Sequence, residues 1–495
     1  MGDCSVTDVC LILEGTYPFV AGGVSTWIHQ LITAMPDIRF SIMSVSPFPN
    51  PYREYKYKIP GNVFDIQDVY LHDAKTMGKR SDRKRVRRAV ENVESVLDRL
   101  LDGQWDAFVD ALPALRDEAT RVSLADAFES EEAWDLLTRL YNRHAGEVSF
   151  LDYFWTFRSI FLPLANTMRV PVPPARLYHV VSTGYAGLIA SIAKRTQDAG
   201  MLLTEHGVYT HERLLEISQA TWIYTPQKER FRVQQELSYF KRVWLGFFDM
   251  MGRLTYDNAD RIVTLYEGNK LKQIAAGADP GKITIIPNGI DVDHYRSIKR
   301  KPRSARRKAV GFIGRIVSIK DVKTFLHAAK IVLKTLPETE FFLLGPTNEE
   351  PDYYQECREL TRSIGVERVC RFLGKVDLKE WYAKLDVVVL TSLSEAQPYV
   401  ILEANAVGIP AIATDVGACR EMLEGVDEED RVLGASGLLT GVSNSADTAR
   451  AIVRVLTDPD LWRSMSEAGR TRAVESYDQT DLISKYLNIY EQMMR

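Results

Sequence analysis

The sequence has few cysteines and no long apolar run. Its five cysteines are an odd number among 495 residues and form no C-x-x-C pair, which argues against a disulfide framework or a structural zinc site. No apolar run approaches the roughly 18 residues of a membrane span. The N-terminus carries acidic rather than basic residues, unlike a signal peptide. We therefore expect a cytoplasmic protein, with any contact at the inner membrane peripheral and made through partners.

The sequence also has little excess charge of either sign. Its 62 lysines and arginines face 66 acidic residues, for a net charge of −4. This balance argues against a surface built to bind nucleic acid, and no low-complexity tail indicates disorder. Apolar residues make up 45% of the chain, so its length allows roughly two to four domains with substantial cores.

Short apolar runs alternate with helix-length amphipathic stretches, a pattern typical of parallel sheets in α/β domains. The runs predicted as strands of a first sheet are 8–15, 39–47, 175–182, 200–207, 261–268 and 282–287. Those predicted for a second sheet are 308–316, 339–346, 369–376, 386–392, 410–416 and 437–442. The runs are continuously apolar, as expected of strands whose two faces are both covered by helices.

The strand pattern predicts two doubly wound domains. We assign residues 1–288 to the first, with a helical insertion at about 73–170 where the strand pattern lapses, and residues 289–475 to the second. The last stretch, 476–495, has apolar residues at helical spacing and is expected to pack back on the first domain.

The strongest chemical signal is the run TSLSEAQPYVILEAN at 391–405. Seven residues separate Glu395 from Glu403, and Pro398 lies between them near the start of a predicted helix. Because a buried strand comes directly before, the motif sits where open α/β sheets bind ligands. Two carboxylates there can accept hydrogen bonds from sugar hydroxyls and from a ribose diol. Taken alone, the motif is equally consistent with surface glutamates stabilised by the helix dipole.

Two cations follow the first strand of the second domain. Arg315 offers a fork of donors suited to phosphate, and Lys320 adds a point charge five residues later. Such a pair fits a diphosphate leaving group. The alternative for this segment alone is a solvated basic loop.

Two further signals lie in the first domain. Gly22 and Gly23 precede a helix and leave its N-terminal N–H groups open to a phosphate or sugar oxygen, although the spacing is not the dinucleotide fingerprint. His206 ends the strand MLLTEHG, where it can reach a sugar. The alternatives are a plain glycine-rich turn and a structural histidine.

Together these four motifs resemble the nucleotide-sugar glycosyltransferases of family four, whose GT-B fold has two Rossmann-like domains facing each other across a cleft. The segments EGTYPFVAGGVSTWIHQLI, TEHG, GFIGRIVSIKDVKTF and SEAQPYVILEA are more narrowly similar to the PelF-type enzymes of bacterial exopolysaccharide and biofilm biosynthesis. The resemblance covers most of the chain outside 73–170.

The resemblance implies a role for each matching residue. The catalytic group comprises Glu395 on the donor sugar's hydroxyls, Arg315 and Lys320 on the diphosphate, and His206 on the donor sugar. The donor-binding group comprises Gly22, Gly23, Glu403 for the ribose, Gly374 and Lys375 near the base, Pro398 and Tyr399. Pro398 replaces a glycine of many family members and has no N–H to offer the sugar, but the PelF-type pattern shares it.

The function implied is a retaining, metal-independent transfer of a hexose from a UDP-sugar to a growing exopolysaccharide such as Pel. No cofactor is expected, and the partners are the donor, a polysaccharide acceptor and an inner-membrane synthesis complex. We interpret Asp291 and Asp293, which spell D-x-D, as part of a turn rather than a metal site. The alternatives are a nucleotide-sugar epimerase of the same fold and a scaffold recruited to membrane by the basic tracts 79–88 and 299–308.

Overall fold

The computed structural model describes residues 6–50, 52–72, 82–101, 104, 107, 122–219, 238–300 and 308–495. The chain forms two compact units. The N-terminal unit runs through Thr264 and includes Lys270–Thr284 and Leu487–Arg495, and the C-terminal unit contains Leu265–Asn269 and Ile285–Tyr486. Each unit has its own parallel sheet, which confirms the predicted α/β class with two doubly wound domains.

The sheet of the N-terminal unit has the strand order β3-β2-β1-β4-β5-β6-β7 over the described residues. Its strands are β1 (Thr7–Glu14), β2 (Phe40–Ser46), β3 (Val63–Tyr70), β4 (Ala175–Val180), β5 (Gly200–Glu205), β6 (Arg261–Thr264) and β7 (Ile283–Ile285). The pairs from β3 to β6 are parallel. The order reverses between β1 and β4, and this reversal is the switch point at which doubly wound sheets bind ligands.

Helices cover both faces of this sheet. They are α1 (Gly23–Ala34), α2 (Arg83–Leu101), α3 (Leu124–Glu129), α4 (Glu131–His144), α5 (Phe150–Arg169), α6 (Tyr185–Thr196), α7 (Tyr209–Gln219), α8 (Tyr239–Asn258) and α9 (Glu267–Ala275). The apolar stripe of α8 is part of the core, since Phe240, Trp244, Phe247 and Met251 are buried in the main hydrophobic cluster.

The described part of the 73–170 insertion is helical, as predicted, and forms helices α2 to α5 with a small core of their own. Arg83 of α2 makes ion pairs of 2.7 Å with both Glu131 and Glu132 of α4. The described part of the first basic tract thus lies on a solvated helix face. Lys79 and Arg80 lie outside the described residues.

The C-terminal unit has a parallel sheet of order β10-β9-β8-β11-β12-β13. Its strands are β8 (Ala309–Ile313), β9 (Glu340–Leu344), β10 (Cys370–Gly374), β11 (Val387–Leu390), β12 (Ala411–Thr414) and β13 (Gly437–Thr440). Its helices are α10 (Val292–Arg296), α11 (Val322–Val332), α12 (Pro351–Ser363), α13 (Leu378–Tyr382), α14 (Tyr399–Val407), α15 (Cys419–Glu424), α16 (Glu428–Arg431), α17 (Ser445–Thr457), α18 (Pro459–Ser476) and α19 (Gln479–Met493). The switch point here lies between β8 and β11.

All twelve predicted strands are present, and all except β1 are shorter than their apolar runs, but β3 was not predicted. Its sequence VFDIQDVY mixes acidic and apolar residues, and most of its side chains are half-buried or exposed. Strand β3 lies at the edge of the sheet, where one-sided pairing tolerates polar residues on both faces.

The last helix, α19, joins the C-terminal unit through Gln479–Tyr486 and the N-terminal unit from Leu487 onward. Within the N-terminal unit, the hydroxyl of Tyr490 lies 2.6 Å from Nδ1 of the buried His179 on β4. Among the described residues, no helix is both long and apolar enough to cross a membrane.

The loop after β12 packs tightly on the segment that carries Glu395. The N–H of Ala418 donates to the carbonyl of Ala396 at 2.8 Å. Gly417 has φ of +57°, and a Cβ built on it would lie 2.1 Å from the carbonyl oxygen of Glu395. Only glycine accommodates both the left-handed backbone and this close approach.

We predict that Gly417→Ala destabilises the protein more than Gly434→Ala. Gly434 has φ of +81° but no heavy atom within 4 Å of a built Cβ, so its substitution incurs only the backbone cost of about 1–2 kcal/mol. Gly417→Ala adds an overpacking cost of about 1–3 kcal/mol. Urea denaturation followed by circular dichroism measures both, and equal shifts of the unfolding midpoint would contradict the packing argument.

Candidate functional site

The switch point of the C-terminal unit brings together two loops from distant parts of the sequence. Strands β8 and β11 are parallel neighbours, so the loops that leave their carboxyl ends emerge side by side. The first loop carries Arg315 and Lys320, and the second carries Glu395. This is the crevice in which open parallel sheets bind ligands.

Lys320 and Glu395 are in direct contact. Nζ of Lys320 donates to Oε1 of Glu395, and the two side chains are 17% and 11% exposed. The hydroxyl of Ser392 donates to the same oxygen at 2.5 Å. Among the described residues both contacts fall on Oε1, so Oε2 remains able to accept from a ligand.

Backbone contacts hold the two loops at a fixed separation. The Thr391 hydroxyl donates to the carbonyl oxygens of Lys320 and Asp321 at 3.1 and 2.9 Å, and the Leu393 N–H donates to the Ile319 carbonyl at 2.8 Å. Asp321 begins α11 as its N-cap with φ of 42° and accepts from the hydroxyl of Thr324 at 2.7 Å. Lys320 is therefore positioned by its backbone as well as by Glu395.

Arg315 does not contact Lys320 or Glu395 among the recorded interactions of the described residues. Its guanidinium instead donates to Glu349 at 2.6 Å, and its side chain is 52% exposed. An ion pair this exposed contributes little stability and exchanges readily for another anion. Both predicted cations therefore follow β8 at the same edge of the sheet. Of the two, Lys320 contacts Glu395 and Arg315 contacts Glu349.

Glu403 lies one turn into α14 and is largely buried. Its carboxylate accepts from the hydroxyl of Tyr382 at 2.5 Å and also from the hydroxyl of Tyr295. Burial raises the pKa of the Glu403 carboxyl, and the two phenols oppose part of that rise. Sequence reasoning did not anticipate these two tyrosines, which come from α13 and α10 and share no motif with Glu403.

Pro398 caps α14 and the neighbouring residues fix the start of that helix. Oε1 of Gln397 accepts from the N–H of Asn288 at 2.5 Å, so the Pro-Asn-Gly turn at 287–289 packs on the site loop rather than serving only as a linker. The hydroxyl of Tyr399 is buried and has no hydrogen-bond partner among the described residues. It is a candidate donor for a ligand.

Gly374 and Lys375 end β10 at the same carboxyl edge of the sheet. Gly374 has φ of +67° and no heavy atom within 4 Å of a built Cβ, while Lys375 is exposed. The space beside them is open, as the predicted contact with a base requires.

In the N-terminal unit, the structure joins two motifs that sequence reasoning treated separately. Gly22 and Gly23 are exposed at the start of α1, and no side chain caps that helix. One turn later, Trp27 packs edge-to-face on His206 with ring centroids 4.7 Å apart. Burial lowers the pKa of His206 to about 4, so the imidazole is neutral near pH 7.

Sequence reasoning missed His179, which lies behind this pair. Its Nε2 is 2.8 Å from the Thr204 hydroxyl and its Nδ1 is 2.6 Å from the Tyr490 hydroxyl. Burial lowers the pKa of His179 to about 3. The signal available in the sequence was a lone polar residue in the apolar strand ARLYHV.

Glu14 fills the switch point of the N-terminal unit. Its carboxylate accepts from the N–H of Ala186 at 3.2 Å, from the N–H of Tyr185, and from the hydroxyl of Tyr209 at 3.2 Å. A helix N-terminus of this kind is where a Rossmann domain holds phosphate. Because Glu14 accepts from these N–H groups, they are not open to a phosphate. Burial raises the pKa of Glu14.

Asp291 acts as a helix cap, accepting from the N–H of His294 at 2.9 Å at the start of α10. Over the part of the chain that the structure describes, no three His, Cys, Asp or Glu residues are grouped as metal ligands would be. The D-x-D segment therefore has a structural role at its first aspartate.

Two family models match this chain, one mostly in the N-terminal unit and the other in the C-terminal unit. Residues 7–281 match the sequence model of a domain of unknown function, DUF3492, and residues 307–458 match that of glycosyl transferases group 1. A D-inositol 3-phosphate glycosyltransferase of Kribbella flavida is 29% identical over 231 residues, 43% of this chain and 50% of that protein. A second, of Catenulispora acidiphila, is 30% identical over 230 residues, 43% and 51% of the two chains. The chain spans about half the length of the curated relatives it matches.

Solved structures resemble the whole chain in fold. Anabaena Alr3699/HepE in complex with UDP and glucose has a TM-score of 0.60 at 14% identity, covering 98% of this chain and 99% of that one. Sucrose-phosphate synthase from Thermosynechococcus elongatus has a TM-score of 0.59 at 15% identity, covering 98% of both chains. At such low identity the likeness shows the fold alone, and it is the GT-B fold that the sequence predicted.

The two family models match different shares of the chain. The glycosyl transferases group 1 match covers the C-terminal unit from β8 into α17, including the loops that hold Lys320 and Glu395. The first match covers residues 7–281, more than half of the 495-residue chain. The chain therefore belongs to the DUF3492 family, and its residues 307–458 are similar to glycosyl transferases group 1.

Proposed function

We propose that this protein is a retaining glycosyltransferase that transfers a hexose from a UDP-sugar to a bacterial exopolysaccharide. The observation that carries the proposal is the contact of Lys320 with Glu395 at the switch point of the C-terminal unit. The group 1 match over the same residues supports it, as do structural relatives whose complexes hold UDP and UDP-glucose. The exopolysaccharide acceptor rests on the PelF-type motifs.

The chemistry follows from the charges at the site. Negative charge grows on the diphosphate as the glycosyl bond breaks, and preorganised cations stabilise that charge. Lys320 has three N–H donors, so it can hold Glu395 and a phosphate oxygen together. Arg315 adds a second cation by exchanging its exposed Glu349 partner for phosphate.

Glu395 and Glu403 bind different parts of the donor. The oxygen of Glu395 that receives no contact among the described residues accepts from the sugar hydroxyls, beside the leaving group held by Lys320. Glu403, fixed by Tyr382 and Tyr295, accepts from the ribose diol. The acceptor oxygen bonds to the anomeric carbon on the face from which the diphosphate leaves, as the bond from that carbon to the phosphate oxygen breaks. The proton of the acceptor hydroxyl passes to the departing phosphate oxygen, and the anomeric configuration is retained.

We predict that Lys320→Ala and Arg315→Ala each lower turnover of a UDP-sugar at least about tenfold, because each removes a cation from the leaving diphosphate. The matched control is Lys323→Ala, which removes a surface lysine paired with Glu356 at 2.6 Å. Release of UDP from a panel of UDP-sugars, with and without acceptor, measures turnover. Near-normal turnover in either folded variant would overturn the assignment, and product formed without any acceptor would indicate epimerisation.

Chelation tests the metal-independent mechanism. Lys320 and Arg315 supply the positive charge at the diphosphate, so we expect EDTA to leave the rate of UDP release within about twofold of its untreated value. A large loss that Mg²⁺ or Mn²⁺ restores would show that a metal ion carries the charge instead.

We predict that acidification weakens UDP binding partly through Glu403. The ionised carboxylate accepts from the ribose, and burial raises its pKa above the ordinary value of a glutamate, so acidification protonates it at a higher pH than an exposed glutamate and weakens this acceptor. Glu403→Gln should bind UDP more weakly at pH 8 and lose less affinity on acidification. Protonation of UDP itself is common to both proteins, so the ratio of their dissociation constants isolates Glu403. A ratio that is constant with pH would contradict this role.

A further inference from the structure

A cavity of about 450 Å³ opens at the carboxyl ends of β1 and β2 in the N-terminal unit. Its wall is formed by the loop after β1, including Gly15 and Phe19, and by the loop after β2, including Phe48 and Tyr52. The volume lies within the range of small-molecule sites. No residue to which the motifs assigned a role lines it.

Aromatic rings are exposed around this cavity to an unusual degree. Phe48 is 64% exposed and Tyr52 is 89% exposed. Tyr55, on the same loop, is 55% exposed and packs against Phe19 with ring centroids 5.1 Å apart and ring planes tilted by 34°. Exposed rings on one short segment leave apolar faces in water, and such groups mark binding surfaces.

The loop is held in place rather than projecting freely. The guanidinium of Arg53 lies 3.5 Å from the ring centroid of Phe19 and donates to Ser44 of β2 at 2.9 Å. The backbone N–H of Lys56 donates to the carbonyl of Pro18 at 2.9 Å. Phe48 stacks on His72 at 4.9 Å. The ring faces are therefore preorganised for a ligand.

The charges at the cavity are balanced. Arg53 pairs with Asp68 at 3.2 Å, and Lys56 pairs with Glu54 at 3.6 Å. Each cation has its own carboxylate, so the cavity offers no net attraction for a phosphate or a nucleotide. The exposed ring faces fit a ligand with apolar flat faces. The paired charges around them fit a ligand that is uncharged and rich in hydroxyl groups.

We propose that this cavity binds a neutral oligosaccharide segment of the acceptor, with sugar rings stacked on Phe48 and Tyr52. The inference rests on the proposed function in that the acceptor is a glycan. Phe48 and Tyr52 both line the cavity and both have exposed rings, so each can stack on a sugar ring and the site takes a chain rather than a monosaccharide. The loop after β1 leads from the cavity to Gly22, which places the glycan beside the start of α1.

The experiment measures binding of neutral tetrasaccharides of glucose and of N-acetylglucosamine, in α and β linkages, to the full chain by calorimetry. We expect Phe48→Ala and Tyr52→Ala each to weaken binding about fivefold and to leave UDP binding unchanged. The matched control is Phe64→Ala, which removes a ring that is 58% exposed on β3 and does not line the cavity. The glucose monosaccharide should bind more weakly than the tetrasaccharide.

Two results would overturn the inference. One is that no tetrasaccharide binds, or that binding is the same in both cavity variants as in the wild type. The other is that inorganic phosphate competes with the glycan, which would show an anion site. A protein that binds UDP but no glycan loses the inference and keeps the proposed function. A protein that binds the glycan through Phe48 and Tyr52 but no UDP loses the proposed function alone.

Discussion

The contact between Lys320 and Glu395 depends on the pairing of β8 with β11 and explains much of the C-terminal unit. A lysine and a glutamate 75 residues apart meet because both follow adjacent strands at the carboxyl edge. The hydroxyl of Thr391 and the backbone of Leu393 hold the loops together, and Gly417 allows a third loop to pack on Glu395. The pair is therefore preorganised, which is the condition for stabilising charge on a leaving group.

The two sheets share a strand order, but different side chains lie at their switch points. Both sheets reverse direction beside their first strand, but in the N-terminal unit Glu14 occupies the helix N-terminus at that point. A carboxyl group there takes up the N–H donors and the volume that a phosphate would need. What remains open in that unit is the uncapped start of α1, with His206 behind it, and the aromatic cavity beside β2. Under the proposals made above, the diphosphate binds in the C-terminal unit and the neutral glycan in the N-terminal unit.

Most of the fold was predictable because buried parallel strands are continuously apolar. Strand β3 was missed because an edge strand such as VFDIQDVY carries acidic residues within it. The loops that carry Lys320 and Glu395 were predictable because each follows a buried strand. Tyr382, Tyr295 and His179 were not found, because their roles come from packing between elements that are distant in sequence.

The sequence by itself determined the two doubly wound domains, the loops that carry chemistry and the residue types in them, since hydrophobic periodicity and glycine or proline positions are local properties. Only the tertiary structure decided which side chains meet. It joined Lys320 to Glu395, directed Arg315 to Glu349, buried Glu403 under two phenols and placed Glu14 where a phosphate would otherwise sit. The physical reason is that strand order, which is not encoded in any one segment, sets which loops become neighbours.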